Sequence, residues 1–115
     1  MRIIIGLLFI CSIGYSKAVD VTLKIEKVGE VIQWNPEVIT VAAGDKLIIH
    51  AEHKLEGGAD FHGLFIPQLR ISEKVERGKT VTVTRNISKS LKPGEYNVGC
   101  QFHPKHAPAK LVVTP

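Results

Sequence analysis

The sequence predicts an all-β chain folded as a β-sandwich or small barrel. Three observations carry this. Apolar and polar residues alternate with a period of two over several stretches, β-branched residues are dense within them, and turn residues separate them at short intervals. No stretch keeps a helical period over three turns.

In chain order, residues 19–29 set Val19, Val21, Leu23 and Ile25 against Asp20, Thr22, Lys24 and Glu26, the pattern of a half-buried strand. Residues 38–53 read as a strand, a turn at Ala43-Gly44-Asp45, and a second strand. Residues 63–67 are a short apolar run ended by Pro67. Residues 71–77 are expected to form a turn or a single helical turn. Residues 79–87 alternate Val81 and Val83 with threonines and read as a strand. Lys92-Pro93-Gly94 is a turn, residues 95–100 a strand, and residues 109–115 the last strand.

At 115 residues the chain holds one domain at most. Residues 1–18 read as a secretory signal peptide. Arg2 supplies a short positive start, residues 3–14 are almost uninterruptedly apolar, and Ser16 and Ala18 place small residues at the −3 and −1 positions of a cleavage site. The apolar run falls short of the roughly 20 residues that span a bilayer, which argues against an uncleaved anchor. Residues 19–115 are then the exported domain, expected in a bacterial periplasm with no stable membrane insertion. Losing Arg2 and Lys17 takes the formal charge from +4 to near +2, and no run of Lys or Arg points to nucleic acid.

Cys11 leaves with the signal, so the domain keeps Cys100 alone and has no internal disulfide. In an oxidising compartment such a thiol is expected to be buried as a small hydrophobe, to act as a nucleophile, or to be held by a metal. Its neighbours favour the metal. Cys100, His103 and His106 fall at intervals of three, in a loop stiffened by Pro104 and Pro108. Thiolate with imidazole is a donor set for copper or zinc. Tyr96, Val98 and Cys100 share one strand face, so Cys100 points inward where the strand ends. His62, followed by a glycine that permits close backbone approach, is the expected donor from elsewhere in the chain. His50 and His53, three apart on a strand, face opposite sides. They read as strand histidines outside the site, one partly buried and one exposed.

Residues 38–53, then FHGLFIP, PGEYNVGC-x2-HP-x-H and LVV, closely resemble the cupredoxin family of small copper proteins, from about residue 36 to residue 113. The resemblance implies a Greek-key β-sandwich or barrel of the cupredoxin type and one mononuclear copper ion, Cu(II)/Cu(I). It also implies His62, Cys100 and His103 as the equatorial ligands. The ligand loop has the length found in amicyanin-like members, but His106 falls where the axial methionine would be. Met1, the only methionine, leaves with the signal. Imidazole is a better donor than thioether, so the copper–sulfur bond is expected to weaken and Cu(II) to gain over Cu(I). A red or green site is expected rather than a blue one. In this it is partly like the red nitrosocyanin type, which has glutamate where His62 stands.

These residues suggest electron transfer with a redox partner protein, docked on an apolar collar of Phe102, Pro104, Ala107 and Pro108. The alternative is copper buffering, resistance or delivery, with a copper donor or acceptor protein as partner. Tetrahedral zinc suits the same ligands. A small-molecule redox enzyme is disfavoured, because nothing near the site reads as a general acid or base. Acid is expected to release the metal as the imidazoles take up protons.

Overall fold

The computed structural model describes residues 17–102 and 106–115. The signal-peptide reading therefore falls, except at its last two residues, outside the described residues, as do His103, Pro104 and Lys105. His106 and Ala107 are described through their backbone.

Strand β1 (Ala18–Val28) turns at Gly29-Glu30 into β2 (Val31–Asn35), with Val28 and Val31 paired across the turn. Gly29 adopts φ 63°, which costs glycine no Cβ clash. β3 (Val38–Ala42) and β4 (Lys46–Glu52) flank the expected turn, where buried Asp45 accepts the Ala42 N–H at 2.9 Å. β5 (Phe61–Ile66) is followed by a 3-10 turn at Pro67–Leu69 and then by β6 (Ile71–Glu76). β7 (Thr80–Asn86), β8 (Gly94–Val98), the two-residue β9 (His106–Ala107) and β10 (Ala109–Thr114) complete the chain.

One layer has the order β7-β4-β1-β2-β9. Within it β1 runs parallel to β4 and antiparallel to β2. In the other layer β10 lies between β3, which it meets in parallel, and antiparallel β8. The hairpin β5-β6 extends that layer through one reciprocal pair, in which Phe65 and Gly99 exchange both backbone bonds at 3.0 Å. Alternation drives the arrangement: Leu23, Ile25, Trp34, Leu47, Ile49, Leu64, Ile66, Val98 and Leu111 point inward and are buried between the layers. Each large apolar side chain so buried contributes about 1.5–3 kcal/mol.

The fold is thus the all-β sandwich that the sequence predicts. One element is corrected. Residues 71–77 are not a turn or helical turn: residues 71–76 form a strand, paired antiparallel with β5 from Ile66↔Ile71 to Phe61↔Glu76. Ile71 and Val75 are buried, and the hydrogen bonds that residues 71–76 need come from β5. The helical turn lies just upstream, where Pro67 opens the 3-10 segment. Strand β2 is an addition, absent from the expected elements.

Candidate metal centre

Two strand ends meet to build the centre. β5 begins with Phe61-His62-Gly63, and β8 ends one residue before Gly99-Cys100. Because Phe65 and Gly99 are paired antiparallel, the start of β5 lies alongside the residues that follow β8. The Gly63 N–H accordingly donates to Cys100 Sγ at 3.0 Å. His62 is the residue immediately before the glycine whose N–H reaches Cys100.

The loop side chains pack directly onto Gly63. A Cβ there would sit 2.0 Å from Gln101 Oε1 and 3.0 Å from Phe102 Cδ2. The Gln101 side chain occupies that space and reaches across to donate to Ser72 Oγ on β6 at 3.1 Å. The carbonyl of Gly63 is held from the other layer, where the buried Trp34 Nε1–H donates to it at 3.2 Å. Both backbone polar groups of Gly63 are therefore engaged, one by a core indole and one by the sulfur.

His62 is buried on the inward face of β5, with Leu64 and Ile66. Its ring meets that of His53 edge to face, with centroids 4.9 Å apart and planes at 75°. On the outward side of the same strand, Phe61 stacks edge-on against Phe102 at 5.1 Å, and the Lys74 ammonium lies 4.4 Å from the Phe61 ring centre. Phe102 remains 43% exposed, so the apolar side of the loop carries an accessible aromatic.

The other two expected ligands stand differently. His103 lies outside the described residues. The backbone of His106 pairs in parallel with Ile32 of β2, and Ala107 with Gln33, so the expected loop contains a short strand at the edge of the five-stranded sheet. Among the described residues, no three His, Cys, Asp or Glu side chains gather around one point. The donor types present, a cysteine sulfur and imidazoles, fit copper and suit zinc as well.

The pair His50 and His53 needs correction. His53 is not a peripheral strand residue but fully buried, and it touches His62. Counting by two from Leu47 through Ile49 and Ala51 lands on position 53, so the strand's own parity contained the signal. His50 faces the other way. It is clamped between Asp20 Oδ1 at 2.9 Å and Thr82 Oγ1 at 3.0 Å, tying β1, β4 and β7 on the outer face. Sequence reasoning also passed over Trp34, whose indole fixes the Gly63 carbonyl.

The loop from β4 to β5 is organised by Arg77. Its guanidinium donates to the carbonyls of Leu55 at 3.0 Å, Gly57 at 2.6 Å, Gly58 at 3.2 Å and Ala59 at 2.9 Å. It also pairs with Asp60 Oδ1 at 3.1 Å. This fan holds the segment that leads into His62.

Comparison with known proteins agrees with the fold. A family model described as a cupredoxin-like domain matches residues 1–113. No curated sequence matches the chain. Among solved structures, the copper nitrite reductase from Nitrosomonas europaea superposes with a TM-score of 0.66 at 15% identity, over 85% of this chain and 42% of that one. The blue copper oxidase from the same organism gives 0.66 at 16% identity, over 87% of this chain and 39% of that one. The metal-binding domain of the Cu(I)-exporting P-type ATPase CopA from Streptococcus pneumoniae, solved with Cu(I), gives 0.67 at 12% identity, over 87% of this chain and 95% of that domain. The chain thus spans under half the length of the two Nitrosomonas proteins and nearly all of the transporter domain.

Proposed function

The chain belongs to the cupredoxin-like family, and from that premise we propose that it is an exported copper protein carrying electrons at one mononuclear site. His62, Cys100, His103 and His106 would hold the ion. The observation that carries the reading is the 3.0 Å bond from Gly63 N–H to Cys100 Sγ, beside the buried imidazole of His62.

Bound copper supplies a one-electron Cu(II)/Cu(I) couple. The chain's own residues do the rest. Cys100 provides the sulfur ligand, which accepts the N–H of Gly63. Trp34 and the Phe65–Gly99 pair hold that amide in place, so little rearranges when the charge of the site changes. Burial of His62 keeps water from one side. Exposed Phe102, braced by Phe61, offers an apolar surface for a redox partner. The pairing of His106 with Ile32 supports a defined seat for that residue. Export rests on the character of residues 1–18. Among the described residues no helix is long and apolar enough to cross a membrane.

The test is metal analysis of the purified protein with optical and EPR spectra of the same sample. One copper per chain is expected, with a thiolate-to-copper band that Cys100→Ser abolishes. That band is expected at shorter wavelength than a blue site's and should move to longer wavelength in His106→Ala. Zinc as the sole metal, or a blue-site spectrum unmoved by His106→Ala, would overturn the reading.

A second reading, copper buffering or delivery, draws support from the near-complete overlap with a domain described with Cu(I). Reversible voltammetry with fast self-exchange favours electron transfer. Ready copper transfer to a competing apoprotein without redox cycling favours delivery.

A further inference from the structure

A buried ionisable side chain at the proposed centre lies outside the four ligands. His53 has no solvent exposure, and its Nε2 lies 2.9 Å from the carbonyl oxygen of Ala59. A carbonyl only accepts, so Nε2 carries the proton in that bond. The neutral ring then has its lone pair on Nδ1. That atom is buried and makes no hydrogen bond among the described residues. An acceptor left so in the interior costs about 1–3 kcal/mol, so the position calls for a donor.

The neighbouring imidazole can supply one. The rings of His53 and His62 have centroids 4.9 Å apart and lie edge to face. Two imidazoles joined by an N–H···N bond have ring centres about 5 Å apart and are free to twist about the bond. We propose that His53 Nδ1 is the acceptor that receives the ring N–H of His62, reached by a small turn of His62 about χ2, and that it thereby fixes the tautomer and orientation of this ligand.

The inference rests on the copper reading and deepens it. A metal-bound histidine donates its second ring N–H to an acceptor, and His53 Nδ1 is a buried acceptor on the neighbouring ring. The acceptor is itself anchored. Ala59 O receives both His53 Nε2 and Arg77 Nη2, the latter at 2.9 Å, so the chain of bonds ends on a carbonyl held from two sides. Because that carbonyl claims the proton on Nε2, Nδ1 of the neutral ring can only accept. His62 must then turn its N–H toward His53 and its lone pair toward the metal. His53 is a positioning residue in this scheme, one that acts through His62.

Three substitutions separate positioning from a merely structural role. His53→Asn places its carbonyl oxygen near the position of Nδ1 and loses the reach to Ala59. His53→Gln brings its amide N–H toward Ala59 and loses the acceptor beside His62. His53→Leu loses both. Cu(I) affinity is read anaerobically by competition with a chromogenic chelator, with a thermal melt of each apoprotein alongside. His53→Gln and His53→Leu are expected to bind copper 10- to 100-fold more weakly, with stoichiometry unchanged, while His53→Asn stays near wild type. The reverse order, with Asn weak and Gln near wild type, would mean that His53 serves only the loop and would overturn the inference. So would equal affinity in all four proteins.

Should the variants not fold, the wild type suffices. In its diamagnetic Cu(I) form, labelled with nitrogen-15, a through-bond nitrogen–nitrogen coupling between His62 and His53 is expected. With both rings assigned, no coupling overturns the proposal. A wild type that takes up no copper removes the copper reading first, an outcome distinct from any of these.

Discussion

At the scale of single residues, the centre depends on Gly63. Its missing side chain admits the Gln101 loop, its N–H reaches Cys100, and its carbonyl is held by Trp34. Gly63→Ala is therefore expected to push Gln101 off Ser72 and lengthen the bond to sulfur. Gln101 is exposed and flexible and can move aside, so the cost by urea unfolding is expected to be about 1 kcal/mol or less, while the thiolate-to-copper band should shift. Trp34→Phe separates the two effects. It keeps most of the buried ring but leaves the Gly63 carbonyl without its indole donor, at a cost of about 1–3 kcal/mol. An unchanged unfolding midpoint in Trp34→Phe would show that water or a shifted neighbour satisfies that carbonyl. His50 provides the contrast. Its bonds to Asp20 and Thr82 lie on the outer face, where ion pairs contribute about 0–1 kcal/mol. His50→Gln is expected to leave copper affinity and spectrum as they are. A spectral change there would mean that the outer face of β4 communicates with the centre.

At the scale of elements, the β4–β5 connection shows how a loop can be held without a core of its own. Four carbonyls and one carboxylate converge on Arg77, the residue directly after β6. Lysine has one donor group where arginine has a planar fork, so it cannot reproduce the fan. Arg77→Lys is expected to raise amide exchange across residues 54–60 while β1 and β4 stay protected. The midpoint of unfolding should fall by an amount on the order of 1–2 kcal/mol, since the guanidinium is partly exposed. Uniform exchange across the chain would count against a loop-specific role.

Elements differed in how legible they were, for physical reasons. β1 and β7 were readable because each alternates with a period of two, and β4 because its apolar run follows a clear turn. β6 was not, because its two buried residues, Ile71 and Val75, are four apart. That spacing lies on one face of a strand and on one face of a helix alike. β2 has only five residues, interrupted by Gln33 and Asn35, and β9 is defined by a partner more than seventy positions away. The expected ligands His62 and Cys100 were singled out by their motif. His53 was passed over because its spacing from His50 was weighed and its parity with Leu47 was not.

At the scale of the whole molecule, the centre lies where the two layers are joined. Trp34 in one layer bonds to Gly63 in the other, and the β5-β6 hairpin is attached to β8 by the single Phe65–Gly99 pair. Cys100 follows β8, His62 sits on β5, and the backbone of His106 belongs to the edge of the opposite layer. An ion held by these residues would therefore close β5 onto β8 and one layer onto the other, cross-links that the unfolded chain lacks. Ligand bound only by the folded state stabilises it by mass action, about 2.7 kcal/mol when free Cu(I) is one hundred times its dissociation constant. For a domain of this size each kcal/mol moves Tm by about 4–8 °C. Anaerobic loading is thus expected to raise Tm by roughly 10–20 °C, and a strong chelator should return it to the starting value. Cys100→Ser should melt near the wild-type apoprotein and lose most of the rise on loading, because it removes the sulfur but disturbs little of the packing. A rise of equal size in Cys100→Ser would place the stabilising ion elsewhere on the molecule. No rise in the wild type would mean that the two layers need no ion to hold them.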